Sequence, residues 1–279
     1  MKMKHILLPT DFSDNSINAI HYALKFFGSE ETHFYLINIQ KTSDYTTSDL
    51  MYRKPSSTLY EAILDDNQFK LQQLIQQLQK EFNSKKYTFK AIVDFDVFTD
   101  AIRQAIKTFK IDLIIMGTNG ASGAKEKLFG SNTLQVIRQI NCPLITVPEN
   151  YQFSSISKVL FSTSTDSFSI DKVKPLIDII LSHKASLLVL KMDDSTTTRE
   201  PSDQKNSLKR LKEVIDYTFY TLTGISRPTG IDAFEQLHPI DLHAFFTKKE
   251  SLLDRIIFGS ETSDISYGSK VPLFIMHND

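Results

Sequence analysis

The chain has 279 residues, which at about 150 residues per domain predicts roughly two domains. Its 41% hydrophobic and 23% charged residues are typical of a folded globular protein, and they exclude disordered, collagen-like and coiled-coil classes. The 32 basic and 33 acidic side chains give a formal net charge of −1, so no broad basic field is available to bind DNA or RNA.

The first half alternates short apolar runs with amphipathic segments. Strands are predicted at residues 5–9, 33–39, 87–94, 111–116 and 143–148. A first helix is predicted after the first strand, with Asp14 or Asn15 as its N-cap. Three more helices are predicted: one whose apolar face runs from Leu71 to Phe82, one at 98–109, and one from about residue 131. The hydroxyl-rich stretch 41–58 predicts a loop. Five strands alternating with four helices predict a doubly wound α/β domain with a parallel sheet.

The second half repeats this order. Strands are predicted at 158–162, 186–192, 218–223, 240–246 and 271–276, and helices at 170–183, 205–217 and 230–237. When residues 240–276 are laid on 111–147 without a gap, 11 of 37 positions are identical. Average composition gives about two or three by chance. The sequence therefore predicts one fold duplicated, with domains at 1–148 and 157–279 and a linker at 149–156.

The stretch from Met116 to Thr133 carries the most informative pattern. Gly117 follows the fourth strand, Gly120 comes after two residues, and Gly130-Ser131 comes after nine more, where a helix begins. Glycines admit a positive φ and let backbone N–H groups approach an anion, and a helix N-terminus offers unpaired donors to a phosphate. Two glycines after a strand are also typical of a plain turn, and Ser131 of a plain N-cap. The pattern alone leaves both interpretations open.

This spacing resembles that of the universal stress protein family, whose nucleotide-binding members carry Gly, two residues, Gly, nine residues, Gly, then Ser or Thr. Residues 6–13 are similar to the opening segment of the family. The resemblance covers both halves, with the full motif only in the first. It implies two tandem doubly wound five-stranded parallel-sheet domains of the adenine-nucleotide-hydrolase-like fold. It also implies ATP as the ligand, with Mg²⁺ on its phosphates.

The resemblance also implies a site, position by position. Thr10 and Asp11 would hold the adenine and ribose end, and Ile39 would pack on the base. The groups implied along the ribose and phosphates are Met116, Gly117, Asn119 and Gly120, and those implied for the phosphate tail are Gly130, Ser131, Asn132 and Thr133. Asn38 stands where many members have histidine. The alternative for Asp11 is a carboxylate that caps a turn or helix.

The second half departs from the motif. Phe246 stands in place of Gly117, Lys249 in place of Gly120 and Ser164 in place of Asp11, although Gly259-Ser260 is retained. Side chains at the first two positions should block a phosphate cradle, so we expect this half to bind no nucleotide. The family pairs through its last strand. The resemblance therefore implies that strands 143–148 and 272–276 pair within the chain, and it leaves a homodimer of whole chains open.

The expected function is that of a nucleotide-responsive stress or regulatory protein. No P-loop, nucleophile elbow or dinucleotide-binding fingerprint is present, so at most slow ATP hydrolysis is expected. A true ATPase and a nucleotide-independent interaction module are the two alternatives. The lone Cys142 and the short apolar run that Pro9 ends predict a cytoplasmic chain without a signal peptide. No run approaches the roughly 18 apolar residues that a membrane span needs.

Overall fold

The computed structural model describes residues 4–28, 30–40, 59–118, 129–163, 168–193, 202–247 and 270–277. Strands and helices alternate along the first half. They are β1 (Lys4–Pro9), α1 (Asp14–Phe27), β2 (Thr32–Ile39), α2 (Leu59–Phe82), β3 (Tyr87–Asp94), α3 (Phe98–Phe109), β4 (Leu113–Gly117), α4 (Ser131–Gln139) and β5 (Leu144–Val147). The predicted loop at 41–58 lies outside the described residues.

The second half follows the same alternation. Its elements are β6 (Lys158–Thr163), α5 (Ile170–His183), β7 (Ser186–Asp193), α6 (Ser202–Val214), β8 (Tyr217–Thr223), α7 (Arg227–Leu237), β9 (Leu242–Thr247) and β10 (Leu273–His277). The helix α7 begins three residues before the predicted start, because Ser226 and Pro228 form a favourable first turn. The helix α6 ends three residues before its predicted end, and β8 begins at Tyr217.

All ten strands form one sheet, in the order β3-β2-β1-β4-β5-β10-β9-β6-β7-β8. Neighbouring strands run parallel within each set of five. The two sets join where β5 and β10 pair antiparallel, with Phe274 opposite Ile145. The doubly wound α/β fold and the pairing of the two last strands are therefore as predicted. The join also covers two strand edges that would otherwise be exposed.

The core lies in two layers, one on each face of the sheet. Ile6 and Leu8 point into the layer under α1 and α5, and Leu7 points into the opposite layer with residues of α3, α4 and α7. All three side chains are fully buried. Strands of a parallel sheet covered on both faces carry continuous apolar runs for this reason.

The ends of α1 are fixed by two local features. Ser13, rather than the predicted Asp14 or Asn15, caps the helix, because its hydroxyl accepts a hydrogen bond from the backbone N–H of Ser16. Gly28 ends the helix with φ of +50°, and its N–H donates to the carbonyl of Leu24. The start of α1 is thereby placed directly beside the carboxyl ends of β1 and β4.

Candidate functional site

The strand order creates a switch point between β1 and β4. From β1 the chain proceeds outward to β2 and β3, and from β4 it proceeds in the other direction to β5. The carboxyl ends of β1 and β4 therefore lie side by side, with the connections after them diverging to opposite faces. Ligands of open α/β sheets bind in the crevice at such a point. We call this place the β1–β4 edge.

The turn after β1 holds the first two predicted site residues in different ways. Thr10 is buried, its N–H donates to the carbonyl of Ile37 at 2.9 Å, and its hydroxyl lies 2.9 Å from that of Ser16. Asp11 is exposed, and its Oδ1 accepts hydrogen bonds from the N–H and the hydroxyl of Ser13 at 3.1 and 2.5 Å. Thr10 thus fixes the turn, and Asp11 presents an oriented carboxylate at the β1–β4 edge.

Gly117 is required for a reason that differs from the one predicted. It lies inside β4, opposite Val147, and its φ is not in the left-handed region. A Cβ atom at this position would stand 2.8 Å from Nδ2 and 3.1 Å from the backbone oxygen of Asn15. Gly117 therefore does not use the positive φ that a glycine admits. The glycine is needed because the first turn of α1 packs directly on the end of β4.

The N-terminus of α4 has no side-chain cap among the residues that the structure describes. Gly130 is its N-cap, and the first turn contains no acidic residue. The N–H of Gly130 donates to the carbonyl of Thr118 at 2.8 Å, which closes the base of the connection between β4 and α4. Unpaired N–H groups and the positive end of the helix dipole favour an anion at this place.

The side chains of the first turn of α4 divide into two kinds. Ser131 is exposed, and Oδ1 of Asn132 is buried without a hydrogen-bond partner among the residues that the structure describes. Thr133 is buried, and its hydroxyl donates to the carbonyl of Gly117 at 3.0 Å. The single hydroxyl hydrogen of Thr133 is therefore already used, so this side chain holds α4 against β4 and is not a phosphate donor.

Two further predicted residues occupy different surroundings. Met116 is buried in the apolar layer that also contains Phe129, so its side chain belongs to the core and does not line the β1–β4 edge. Ile39 is half-buried at the end of β2, beside the same layer. The neighbouring Asn38 donates from Nδ2 to the carbonyl of Thr10 at 2.8 Å, which ties β2 to the turn after β1. Asn119 and Gly120 lie outside the described residues.

The structure thus brings several predicted residues to one edge and adds others that sequence reasoning missed. Those at the β1–β4 edge are Thr10, Asp11, Gly117, Gly130, Ser131, Asn132 and Thr133. The missed residues are Ser13, Asn15 and Ser16, which hold the turn and pack on β4. Their signal in the sequence was the polar run after Pro9. Within the described residues no cluster of His, Cys, Asp or Glu forms a metal site by itself.

The corresponding edge of the second half is filled by aromatic rings. Phe246, at the end of β9, lies with its ring centroid 5.8 Å from that of Phe161 and 5.7 Å from that of Phe168, which precedes α5. The first half has Gly117 where this half has Phe246. Ser164, Lys249, Gly259 and Ser260 lie outside the described residues. The aromatic cluster thus lies at the end of β9, where the first half has a glycine at the end of β4.

A buried polar group distinguishes the second half further. The hydroxyl of Ser162 lies 2.7 Å from Nε2 of His243, whose Nδ1 lies 3.3 Å from a carboxylate oxygen of Glu235. This is the order of a nucleophile, a base and a carboxylate. His243 has no exposed surface, however, and Ser162 is buried, so a substrate has no access to them. The three side chains link β6, β9 and α7 within the core.

Comparison with known proteins gives matches over the first half and over the whole fold. A family model described as "Universal stress protein family" matches residues 2–148. The universal stress protein MJ0531 of Methanocaldococcus jannaschii is 27% identical over 144 residues, which cover 52% of this chain and 81% of that protein.

Solved structures extend the likeness to both halves. The crystal structure of a universal stress protein from Archaeoglobus fulgidus superposes with a TM-score of 0.69, 16% identity and coverage of 99% of this chain and 98% of that one. The cytoplasmic domain of a prokaryotic cation chloride cotransporter superposes with a TM-score of 0.57, 10% identity and coverage of 99% and 95%. At these identities the likeness concerns the fold alone. Among the described helices, none has the length and apolar character to cross a membrane.

Proposed function

Since the chain belongs to the universal stress protein family, we propose that its first half binds ATP at the β1–β4 edge and that the bound nucleotide regulates the protein. The proposal includes domains at 1–148 and 157–279 joined by a linker at 149–156. The second domain is the non-binding partner of the first. A cytoplasmic setting belongs to the same proposal, and the single buried thiol of Cys142 is consistent with a reducing compartment.

The observation that carries this proposal is the N-terminus of α4 at the switch point of the sheet, which no side chain of the described residues caps. The backbone N–H groups of Ser131 and Asn132 lie in the first turn of α4, where they and the positive end of the helix dipole would stabilise part of the negative charge of a triphosphate. Asp11, which Ser13 orients at the end of β1, is placed to accept hydrogen bonds from ribose hydroxyls.

Mg²⁺ enters the proposal as a companion of the phosphates. Mg²⁺ is commonly bound by substrate phosphates and water together with only one or two carboxylates. Asp11 is assigned to the ribose, so the phosphates and water molecules would supply the ligands of Mg²⁺. The second half lacks an equivalent of the β1–β4 edge, because Phe246 and its two aromatic neighbours occupy the corresponding space.

The proposal is tested by adding a negative charge at the N-terminus of α4, where the phosphates are expected to bind. We expect small molecules released from gently purified protein to include an adenine nucleotide, and ATP with Mg²⁺ to raise the melting temperature. Ser131→Asp should abolish this rise, because a carboxylate would occupy the helix N-terminus and repel the phosphates. Ser169→Asp is the control, since it places the same charge at the N-terminus of α5, where Ser169 is the N-cap and makes no side-chain cap.

Three outcomes would count against the proposal. Recovery of no adenine nucleotide together with no thermal shift would favour a nucleotide-independent interaction module. Equal thermal shifts in the two variants would mean that the phosphates do not lie at α4. Steady-state ADP production well above background, lost in Asp11→Asn, would show an ATPase instead of a regulatory site.

A further inference from the structure

A second candidate site lies at the opposite ends of the strands from the β1–β4 edge. It is a cavity of about 650 Å³ between the two halves, on the face of the sheet covered by α1 and α5. Its apolar wall includes Phe26 and Phe27 of α1 and Phe274 of β10. Its rim carries charged side chains from both halves, and we call it the open groove.

The duplication of the fold relates the open groove to a second place in the molecule. The helices α1 and α5 each follow the first strand of their half and each have 14 residues, so their positions correspond one to one. The same alignment that revealed the repeat equates Asp241 with Asp112. The corresponding pairs are Asn18 and Lys174, Tyr22 and Asp178, Phe26 and Ser182, and Asp241 and Asp112. The second member of every pair lines the open groove.

The hydrogen bonds of the two aspartates support this equivalence. A carboxylate oxygen of Asp112 accepts a hydrogen bond from the backbone N–H of His5 at 2.9 Å. A carboxylate oxygen of Asp241 accepts from the backbone N–H groups of Ser157 and Lys158 at 2.7 and 2.9 Å. In each half the aspartate before the fourth strand therefore holds the start of the first strand.

The first member of every pair is in contact with the chain between β5 and β6. Asn18 donates from Nδ2 to the carbonyl of Tyr151 at 3.1 Å, and the hydroxyl of Tyr151 donates to the carbonyl of Asp241 at 3.4 Å. The ring of Phe153 lies edge-on to those of Tyr22 and Phe26, with centroids 5.3 and 6.3 Å apart. The place equivalent to the open groove is therefore filled by an extended segment that inserts two aromatic side chains.

We propose that the open groove binds an extended peptide segment of a partner protein, one that inserts an aromatic side chain and carries lysine or arginine beside it. We call the equivalent place, which the chain between β5 and β6 occupies, the filled groove. Its occupant shows the backbone shape that such a place accepts. Pro143 and Pro175, which are half-buried, provide apolar surface that the ring can contact, above the buried Phe26, Phe27 and Phe274. Leu181, which is 61% exposed at the rim, extends that surface outward.

The demand for basic residues follows from the charges of the rim. Among the residues that the structure describes, four carboxylates and two ammonium groups line the open groove, namely Glu30, Asp112, Asp171 and Asp178 against Lys4 and Lys174. Lys4 and Asp178 form an ion pair of 3.8 Å across the two halves, which leaves an excess of carboxylates. In the filled groove the position of Asp178 is taken by the aromatic Tyr22. The open groove therefore selects a basic segment where the filled groove accepts a neutral one.

The probe is an octapeptide with blocked ends, taken from residues 149–156 with Glu149→Lys, Tyr151→Trp and Gln152→Lys. The full chain contains no tryptophan, so the peptide indole is the only fluorophore of its kind. On addition of the full-length protein we expect a blue shift and a rise in anisotropy. Asp178→Lys should weaken binding about tenfold or more, whereas Asp65→Lys, the same charge change at an exposed site on α2, should leave it unchanged.

The location is tested by protection of a cysteine. Cys142 is buried, and burial raises the pKa of its thiol to about 12, so an introduced thiol is the reactive one. The peptide should slow alkylation of Ser182→Cys in the open groove and leave that of Gln76→Cys on α2 unchanged. A peptide with alanine in place of both aromatic residues should give no protection. Asp178→Asn provides the charge loss without reversal, in case Asp178→Lys folds poorly.

Several results would overturn the proposal. These are the absence of binding at about 1 mM peptide, equal binding by the Asp178 and Asp65 variants, and protection of both cysteines. Binding that survives loss of both aromatic residues would indicate a merely electrostatic contact. ATP binding is measured in the same variants and should be unchanged, so failure here is distinguishable from failure at the β1–β4 edge.

Discussion

The two halves place opposite kinds of side chain at equivalent ends of the sheet. At the β1–β4 edge a glycine lets Asn15 close on the end of β4, and no side chain of the described residues caps α4. At the corresponding edge of the second half, the ring of Phe246 packs edge-on against Phe161 and tilted against Phe168. One half keeps polar groups and open donors at the switch point, and the other converts the same place into core. The difference teaches that a duplicated fold can retain its sheet while the two copies carry different side chains at the switch point.

The largest effect is expected from making the first edge resemble the second. Gly117→Val should destabilise the protein by roughly 2 to 3 kcal/mol, because its Cβ would overlap Asn15, whose backbone oxygen cannot move aside. The thermal shift with ATP should vanish as well. Denaturant unfolding and thermal shift provide the measurement. Phe246→Val is the counterpart, which should lose aromatic contacts but keep the ATP response; a Gly117 variant with normal stability would contradict the packing argument.

A smaller effect should separate the two first helices at their caps. Ser13→Ala should lower the free energy of unfolding by about 1 kcal/mol. The hydroxyl of Ser13 accepts a hydrogen bond from the N–H of Ser16 and donates one to the carboxylate of Asp11. Ser169→Ala should cost less, since Ser169 makes no side-chain cap at the start of α5. Urea unfolding of both variants measures the difference. Equal losses of free energy would mean that the caps do not distinguish the halves.

The smallest effect concerns the last position of those helices, Phe27 in α1 and His183 in α5. The His183 ring lies 4.6 Å from that of Phe26, and burial lowers its pKa from the usual 6.5. The unfolded chain therefore binds a proton on this residue at a higher pH than the folded chain does. Stability should fall as the pH drops below 6.5 and level off below the lowered folded pKa.

His183→Phe, which copies the first half, should flatten this part of the stability profile, and so should His183→Gln. Equilibrium unfolding at a series of pH values from 7.5 downward measures the slope for the original chain and both variants. Parallel profiles would show that another group causes the dependence. The two halves would then differ at the carboxyl edge of the sheet and not in the pH response at the ends of α1 and α5.

The order of elements was predictable from the sequence because apolar periodicity and the internal repeat both reflect local burial. The helix Phe98–Phe109 matches its prediction at both ends, as does Ile170–His183. The resemblance implied the pairing of β5 with β10. The second half confirmed the order of the first, because the same pattern occurred twice.

The reasons behind particular site residues were not predictable. Gly117 is required by Asn15, which lies about a hundred residues earlier in the chain, so no local pattern connects them. Thr133 lies within the motif, yet its hydroxyl faces the carbonyl of Gly117. Met116 is next to the motif, but its side chain points into the apolar layer that contains Phe129. Spacing identified the edge of the sheet, whereas contacts across elements decide which side chains face the ligand.

The antiparallel contact of β5 with β10 has a consequence for the protein at low concentration. Between separate chains, such a contact would depend on concentration and would weaken on dilution. Here residues 149–156 connect the two halves that carry these strands, so the pairing of β5 with β10 is unimolecular. The effective concentration is typically in the millimolar range for a short connection. The pairing therefore persists at any copy number, and a change in one half reaches its partner without waiting for another molecule.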